Sequence, residues 1–542
     1  MAAYAPANSL LYLEANQPSA VVEAISGTEA WKLLADSEGL PKAPPRRPWL
    51  QGFVRWTGIG SIESVMLARS QVAVVVTDLG ATEEADTLRV RPEVALIIES
   101  HTSEVRIRST VESRIRQLAE TTYDKPTLRR TSIDGVDFDE WTAPEGSRQI
   151  VAAISGSLII IGNNRRAVQN CLAVARARGP SLKDDSDLQR ARAQIAGSDR
   201  LTFGYVPTQN SARLFSIGIP LLLGRAPGNN DFQKLIATGA VKIFGSLAWT
   251  SQAHNTAIED RYLVSLKPSV ITQLKPSFIS ATSNPPVPPA GYDSASYYRF
   301  RDPHGAWQSL KTTVSTHVDA LSAALFSAVL KSALLPYGIE EPELFLQTLG
   351  GNVLTVRLDE TGERSMLLAH VRDHDSLRGL ITGAMRFQTR TASPSGVEVF
   401  QDSQGEIAAA LTEDLVVIGP RLDVAAYVDH LQRTAGPDDN TNPVMLYGPL
   451  STSAPIITYT NDAGRIRSFV VAILAFAGSS ARNPERIDQI IASLPYSATE
   501  TTLNDHGIER VTRSPLGQFS TLLPLLAPED RSATNRLPSP NR

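Results

Sequence analysis

Two hairpin-like stretches of this 542-residue chain repeat each other without a gap, and no other feature limits the possible folds as strongly. Residues 150–162 read IVAAISGSLIIIG, and residues 407–419 read IAAALTEDLVVIG. Each stretch is a pair of apolar runs joined by a polar turn, which predicts a β-hairpin. An amphipathic helix is expected after each hairpin, over 165–176 and 423–432.

Further matches flank these hairpins in the same order in both halves. Tyr205 and Tyr459 are identical positions in an ungapped twenty-residue match that also pairs Arg213 with Arg467. Four matching segments in one order predict a tandem duplication, because such periodicity is typical of repeated architectures. Besides the hairpins, the matching segments are 94–118 with 366–385, 205–224 with 459–478, and 246–261 with 497–510.

The duplication sets the expected domain boundaries. A cluster of prolines between residues 285 and 289 favours an extended linker between the halves. The polar C-terminal tail is expected to be disordered. The predicted units are a first module over 6–267, a Pro-rich linker over 268–289, a second module over 290–528 and the tail over 529–542.

Strand-like segments come in pairs, with helical segments between them. This order predicts an α+β fold of two tandem homologous modules, with mainly antiparallel sheets and helices packed on one face. Asp134 and Gly135 supply the positive φ angles that a tight hairpin needs.

Composition excludes several classes of protein. The formal net charge of −4 and the pI near 6.1 argue against nucleic-acid binding. The single cysteine, Cys171, excludes an intramolecular disulfide and an all-cysteine metal site. The longest apolar runs, 215–223 and 469–477, are too short to predict a transmembrane helix. The first residues carry Ala2, Ala3 and Ala5, as the end of an export signal does, but no complete signal peptide is recognisable.

Potential metal ligands are densest between His370 and Asp375, which also include Asp373 and His374. One interpretation is a divalent metal site. The alternative, which we favour, is that an aspartate caps a helix that starts there. Neither a metal nor a cofactor is therefore expected, and the GxSxG, P-loop and HExxH motifs are absent from the sequence.

A second group of acidic residues could suggest calcium, but it lacks the spacing of a calcium loop. We expect its side chains to face solvent: Asp134, Asp137, Asp139 and Glu140. Cys171 lies on the helix after the first hairpin, and Val428 occupies the matching place in the second half. An apolar packing role for Cys171 is therefore favoured over nucleophilic chemistry.

Two helices that are apolar nearly all round begin beside Arg213 and Arg467. One interpretation is a helix buried between layers. The other is an apolar surface that docks a protein, a lipid or a membrane interface. The candidate interaction surface comprises Arg213, Phe215, Leu221, Leu222, Arg467, Phe469 and Phe476.

The stretch PANSLLYLE, which starts at Pro6, and the repeated pattern that ends at Gly162 and Gly419 resemble a family of bacterial proteins with a domain of unknown function. The resemblance implies internally duplicated α+β modules and export to the periplasm or cell envelope.

We expect a non-enzymatic binding or scaffold protein, an accessory subunit of a cell-envelope or membrane-associated assembly with a protein partner. Two alternatives stay open. One is a metal-dependent hydrolase that uses the residues from His370 to Asp375, and the other is a carrier of a lipid or another hydrophobic small molecule.

Overall fold

The computed structural model describes a single sheet with helices on both of its faces. The described residues are 1–38, 69–84, 87–101, 103–211, 214, 239–278, 285–318, 320–392, 396–433, 454–477 and 483–526. The predicted tail over 529–542 lies outside them.

Among the described residues, ten strands belong to each half of the sheet. The first ten are β1 (Leu11–Ala15), β2 (Gln71–Glu84), β3 (Thr87–Glu99), β4 (Thr127–Ile133), β5 (Val136–Thr142), β6 (Gln149–Ser155), β7 (Leu158–Gly162), β8 (Arg200–Val206), β9 (Phe244–His254) and β10 (Ala257–Leu266). The second ten are β11 (Ser294–Tyr298), β12 (Leu349–Arg357), β13 (Ser365–Val371), β14 (Gln388–Ala392), β15 (Glu398–Gln401), β16 (Ile407–Leu411), β17 (Leu415–Pro420), β18 (Ile456–Thr460), β19 (Ser497–Leu503) and β20 (Gly507–Ser514).

The helices lie between these strands along the chain. In the first half they are α1 (Pro18–Gly27), α2 (Glu29–Glu38), α3 (Glu104–Tyr123), α4 (Arg165–Ala175), α5 (Ser186–Ile195) and α6 (Pro268–Leu274). In the second half they are α7 (Pro303–His317), α8 (Ala320–Ser332), α9 (Pro342–Gln347), α10 (His374–Thr382), α11 (Arg421–Arg433), α12 (Ala463–Ala477), α13 (Pro484–Ser493) and α14 (Phe519–Leu526).

The strand pairings of the two halves match one for one. The first half runs β4-β5-β6-β7-β3-β2-β1-β8-β9-β10 across the sheet, with every neighbouring pair antiparallel. The second half runs β14-β15-β16-β17-β13-β12-β11-β18-β19-β20, again with antiparallel neighbours. The α+β class and the antiparallel pairing predicted from the sequence are therefore confirmed.

Local sequence explains the elements that repeat. The turn between β4 and β5 has positive φ angles at Asp134 (52°) and Gly135 (75°), as predicted. Side chains also mark the helix starts: Asn164 accepts a hydrogen bond from the backbone N–H of Arg166 at 2.7 Å and so caps α4. Both predicted hairpins and the helices that follow them are present.

The prediction that helices cover only one face of the sheet is wrong. On β6, Val151 and Ala153 belong to the core under α4 and α5. Their neighbours Ala152 and Ile154 face the other way, toward α3. The strand is apolar at consecutive positions, which requires cover on both faces because successive side chains alternate between them.

The two halves meet edge to edge in the sheet. Strands β10 and β20 pair antiparallel from Ile258 with Ser514 to Ser265 with Gly507. We refer to this junction as the seam. On one face of the seam, α2 of the first half packs against α12 and α13 of the second. The halves therefore share a sheet and a core.

Two predicted boundaries need correction. The predicted linker begins with helix α6, in which Val270 is fully buried, because the apolar residues of this helix pack beside the last strand of the first half. Residues before the predicted start of the first module are part of its core, since Ala2 and Ala5 are buried there. Within the described residues, no helix combines the length and the hydropathy that crossing a membrane requires.

Candidate functional site

The predicted interaction surface is only partly described. Arg213, Phe215, Leu221 and Leu222 lie outside the described residues, and so does the side chain of Phe476, although its backbone belongs to α12.

Two other members of that surface can be placed. Phe469 is 1% exposed and packs edge-on against Trp31 of α2, with 6.3 Å between the ring centroids. Its assignment to a surface is wrong, because α2 covers it from the other half of the chain. Arg467 is exposed and donates a hydrogen bond to Asp488 of α13 at 2.9 Å.

The acidic and histidine residues between His370 and Asp375 do not converge on a point. Asp373 accepts a hydrogen bond from the backbone N–H of Ser376 at 3.1 Å and caps α10, as favoured above. Across the described residues, no group of three or more His, Cys, Asp or Glu side chains is arranged to hold a metal ion. Cys171 is fully buried, and burial raises the pKa of its thiol to about 12, which fits a packing role.

The expectation of solvent-facing carboxylates on β5 and in the turn before it is wrong for two of the four residues. Asp139 is 6% exposed and Glu140 is 7% exposed. Arg130 donates to Asp139 at 2.6 Å, and Arg165 lies 2.5 Å from Glu140 on the opposite face. These arginines compensate the burial of the two charges. Asp134 and Asp137 remain about half exposed.

Helix α3 and strands β5 and β6 enclose a small cleft, which we call the first-half cleft. Its wall is part charged and part apolar, because alternate residues of β5 point toward α3. It is shallow, with room for about one water molecule. The lining residues are Arg108, Glu112, Ile115, Asp137, Asp139, Trp141, Ala152 and Ile154.

Arg108 sits among three carboxylates in this cleft. It donates to Glu104 at 2.8 Å and to Asp137 at 3.3 Å, and it lies 3.6 Å from Glu112. The hydrogen bond from Arg108, together with one from the backbone N–H of Gly156, holds the pKa of Glu104 below its usual range. Each carboxylate oxygen of Glu104 therefore accepts a hydrogen bond.

Arg130 makes the second set of contacts. Its Nε and Nη2 donate to Asp139 at 2.6 and 3.1 Å, a two-pronged ion pair that raises the pKa of the guanidinium. Glu112 lies 3.6 Å from Arg130 as well as from Arg108. Both distances exceed a normal hydrogen bond, so Glu112 is held by charge alone.

Trp141 is one of the residues that line the cleft. It is 2% exposed, and its indole N–H has no hydrogen-bond acceptor among the described residues.

The second half fills the matching position differently. Ala152 of the first repeat pairs with Asp139, whereas Ala409, its counterpart in the second repeat, pairs with Phe400. Phe400 is fully buried in an apolar core with Leu377 and Ile381 of α10. The cross-strand pair Arg130 with Asp139 is thus replaced by Thr389 with Phe400.

One ion pair of the first half has a counterpart in the second half. Arg108 of α3 contacts Asp137 of β5, and Arg378 of α10 donates to Glu398 of β15 at 2.7 Å. The charged residues that distinguish the first half are therefore Glu112, Arg130 and Asp139. The sequence carried a signal for this site, since Asp137, Asp139 and Trp141 alternate along one strand and must share a face.

Comparison with known proteins gives little further information. No family model matches the sequence, and no curated protein does. Among solved structures, crystal form IV of TP0453 is 9% identical with a TM-score of 0.25, covering 52% of this chain and 87% of that one. Crystal form III of TP0453 is 11% identical with a TM-score of 0.25, covering 52% and 89%. These TM-scores are too low to indicate a shared fold.

Proposed function

We propose that this protein is a non-enzymatic binding protein, built by tandem duplication of an α+β module, whose ligand site is the first-half cleft. The proposal of duplication is supported by two independent lines. The sequence repeats in order, and the strand pairings of the halves match one for one.

The observation that carries the binding site is the exchange of Asp139 for Phe400 at matching positions. The same arrangement of strands accepts a fully apolar core there, so the fold does not need the ion pairs. Burying the carboxylate of Asp139 costs desolvation energy that an apolar residue avoids. Ligand recognition would explain why the charged residues Asp139 and Arg130 lie in the first-half cleft.

A binding role is preferred over the metal-dependent hydrolase for a specific reason. Asp373 uses an oxygen to cap α10, and Asp139 of the cleft accepts two hydrogen bonds from Arg130. Carboxylates held by guanidinium groups are poor metal ligands and poor general bases, because both tasks need a free lone pair.

The test replaces the first-half residues by those of the second half. Thr382, four residues after Arg378, corresponds to Glu112, and Thr389 and Phe400 correspond to Arg130 and Asp139. In the variant Glu112→Thr, Arg130→Thr, Asp139→Phe, we expect the free energy of unfolding to stay within about 1 kcal/mol of wild type or to rise, since the ion pair gives way to packed apolar surface. Urea denaturation followed by circular dichroism measures this. Wild type and the triple variant are then purified from the same cells and denatured. Mass spectrometry identifies the small molecules that each protein releases.

A control variant, Glu145→Thr with Arg148→Thr, removes an exposed ion pair of the same half. We expect a compound released by wild type and by the control but not by the triple variant. If the triple variant unfolds, the ion pairs have a structural role. If all three proteins release the same compounds, the cleft does not bind a ligand. Membership of a cell-envelope assembly and transport of a hydrophobic molecule stay predictions.

A further inference from the structure

We infer that Ser269 of α6 is a modification site, whose hydroxyl accepts an acyl group from an activated ester with His317 of α7 as the base. The inference is independent of the proposed binding function, because neither residue lines the first-half cleft. It follows from a hydrogen-bonded chain of three groups: the hydroxyl of Ser269, the imidazole of His317 and the backbone carbonyl of Thr313.

The hydroxyl and the imidazole lie within hydrogen-bond distance of each other. Ser269 Oγ is 2.8 Å from Nε2 of His317. Nδ1 of the same ring is 2.8 Å from the carbonyl oxygen of Thr313. A hydroxyl that contacts a base, which a third group orients, is the arrangement that activates a serine as a nucleophile.

The carbonyl of Thr313 determines which ring nitrogen of His317 carries the hydrogen. A carbonyl oxygen can only accept, so Nδ1 must donate to it. In the neutral imidazole, Nε2 then has a free lone pair and accepts the hydroxyl hydrogen of Ser269. This is the tautomer that a base for the serine requires.

Packing between α6 and α7 holds the pair in place. Val270 and Leu274 of α6 lie in an apolar cluster against which Leu310 of α7 packs. The hydroxyl of Ser309 on α7 also donates to the backbone carbonyl of Gln273 on α6 at 3.0 Å. Because these other contacts fix the two helices, the serine and the histidine are preorganised for the reaction.

The position of the pair limits the chemical class of the acyl donor. Ser269 is exposed and His317 is half-buried, so a dissolved reagent can reach the hydroxyl. At an exposed position, binding energy contributes little to lowering the barrier, and the donor must be reactive by itself. An activated ester meets this condition, whereas a peptide bond does not.

The transfer balances without a further reactant. The oxygen of Ser269 attacks the carbonyl carbon of the ester, and the bond from that carbon to the leaving oxygen breaks. Nε2 of His317 takes the hydroxyl proton and passes it to the leaving oxygen. The products are an O-acylated serine and the free alcohol. The serine is modified once, so the inference concerns a modification and not catalytic turnover.

The test adds p-nitrophenyl acetate to the full-length protein. We expect Ser269 to be acetylated at least about 100-fold faster than an exposed serine without a base, because a general base contributes about 10²–10⁴-fold. The reference is Ser315, an exposed serine of α7 whose hydroxyl donates to the backbone carbonyl of Thr312 at 3.0 Å. Digestion and mass spectrometry at successive times measure acetylation at both serines.

A variant of the base separates its chemistry from its hydrogen bond. His317→Gln places an amide oxygen that can accept the hydrogen bond of Ser269 but cannot take up the proton. We expect it to slow acetylation of Ser269 at least about 100-fold. Ser315→Ala is the matched control on the same helix and should leave the rate at Ser269 unchanged.

Two results would overturn the inference. One is equal acetylation of Ser269 and Ser315 in wild type, which would leave the hydrogen bond as a structural contact between α6 and α7. The other is a His317→Gln protein in which Ser269 reacts as fast as in wild type. If this variant fails to fold, the comparison of the two serines within wild type still decides.

Discussion

The first-half cleft and the apolar core under α10 occupy matching places in the two halves, yet they are stabilised in opposite ways. In the first half, Asp139 is buried and forms a two-pronged ion pair with Arg130, whose side chain is about half exposed. In the second half, Phe400 is buried among aliphatic side chains of α10. The pairing of the strands is the same on both sides. The arrangement of strands therefore sets where a residue is buried, but not whether the buried group is charged.

The difference has an energetic consequence. An apolar core tolerates the loss of one group by forming a cavity, whereas a buried ion pair leaves a bare charge when one partner is removed. The two sites should thus respond very differently to exchange of their residues, and that response can be measured.

The largest effect is expected for Phe400→Asp, which places the first-half residue in the second half. No arginine stands opposite, because its cross-strand neighbour is Thr389. We expect the free energy of unfolding to fall by at least about 4 kcal/mol, from lost apolar contacts together with an unpaired buried charge. Urea denaturation measures it. Phe400→Leu is the control and should cost much less. A stable Phe400→Asp protein would mean that the second-half core admits water.

Arg130→Thr should have the next largest effect. It leaves Asp139 without its ion-pair partner, while the side chain of Asp139 stays 8% exposed. We expect a loss of about 3 kcal/mol, because an uncompensated charge remains buried. Arg130→Lys retains the charge but loses the two-pronged geometry, so its loss should be smaller. Equal losses in the two variants would remove charge compensation as the explanation.

The seam provides a comparison that depends on pH. Asp260 of β10 is 2% exposed, whereas Arg510, at the matching place in the hairpin of β19 and β20, is exposed. Burial raises the pKa of Asp260 to about 6, although Ser251 and the backbone N–H of Gln518 donate to its carboxylate. The native state therefore binds more protons than the unfolded chain between about pH 4 and pH 6.

Stability should consequently fall as the pH rises through this range. We expect Asp260 to contribute a loss of about 3 kcal/mol between pH 4 and pH 7, and Asp260→Asn to remove it. Urea denaturation of both proteins at several pH values isolates this contribution from that of Glu259. Identical pH dependence in the two proteins would show that Asp260 ionises normally in the folded state.

The smallest effect is expected for Arg467→Ala. Arg467 and Asp488 are both about half exposed, so their ion pair is screened by water. We expect a change within about 0.5 kcal/mol in thermal or urea denaturation. Phe469→Ala, two residues further along the same helix, is the contrasting variant and should cost about 3 kcal/mol or more because the ring is buried against Trp31.

The elements that could be predicted from the sequence are those encoded by neighbouring residues. The alternation of apolar and turn residues predicted both hairpins, and Asp134 with Gly135 predicted the turn between β4 and β5. Asp373 was recognisable as a helix cap because it precedes the first turn of α10. Local conformation depends mainly on residues within a few positions, so a single sequence contains that information.

Only part of the candidate site could be predicted from the sequence. Asp137, Asp139 and Glu140 were recognisable as a group of carboxylates, but all three were expected in solvent, whereas Asp139 and Glu140 are buried. Their burial depends on Arg130 from the next strand, Arg165 from α4 and the position of α3 across the sheet. No pattern in the residues around β5 reports which distant side chains will compensate its charges.

The sequence by itself therefore determined the repeated hairpins, their turns and caps, and the α+β class. Only the tertiary structure decided that helices cover both faces, that β10 and β20 join the halves, and that Phe469 lies in a core while Asp139 lies in a charged cleft. The physical reason is that burial and charge compensation are properties of side chains brought together from distant parts of the chain. Conformational preferences belong to short segments, whereas the free energy of burying a group depends on everything packed around it.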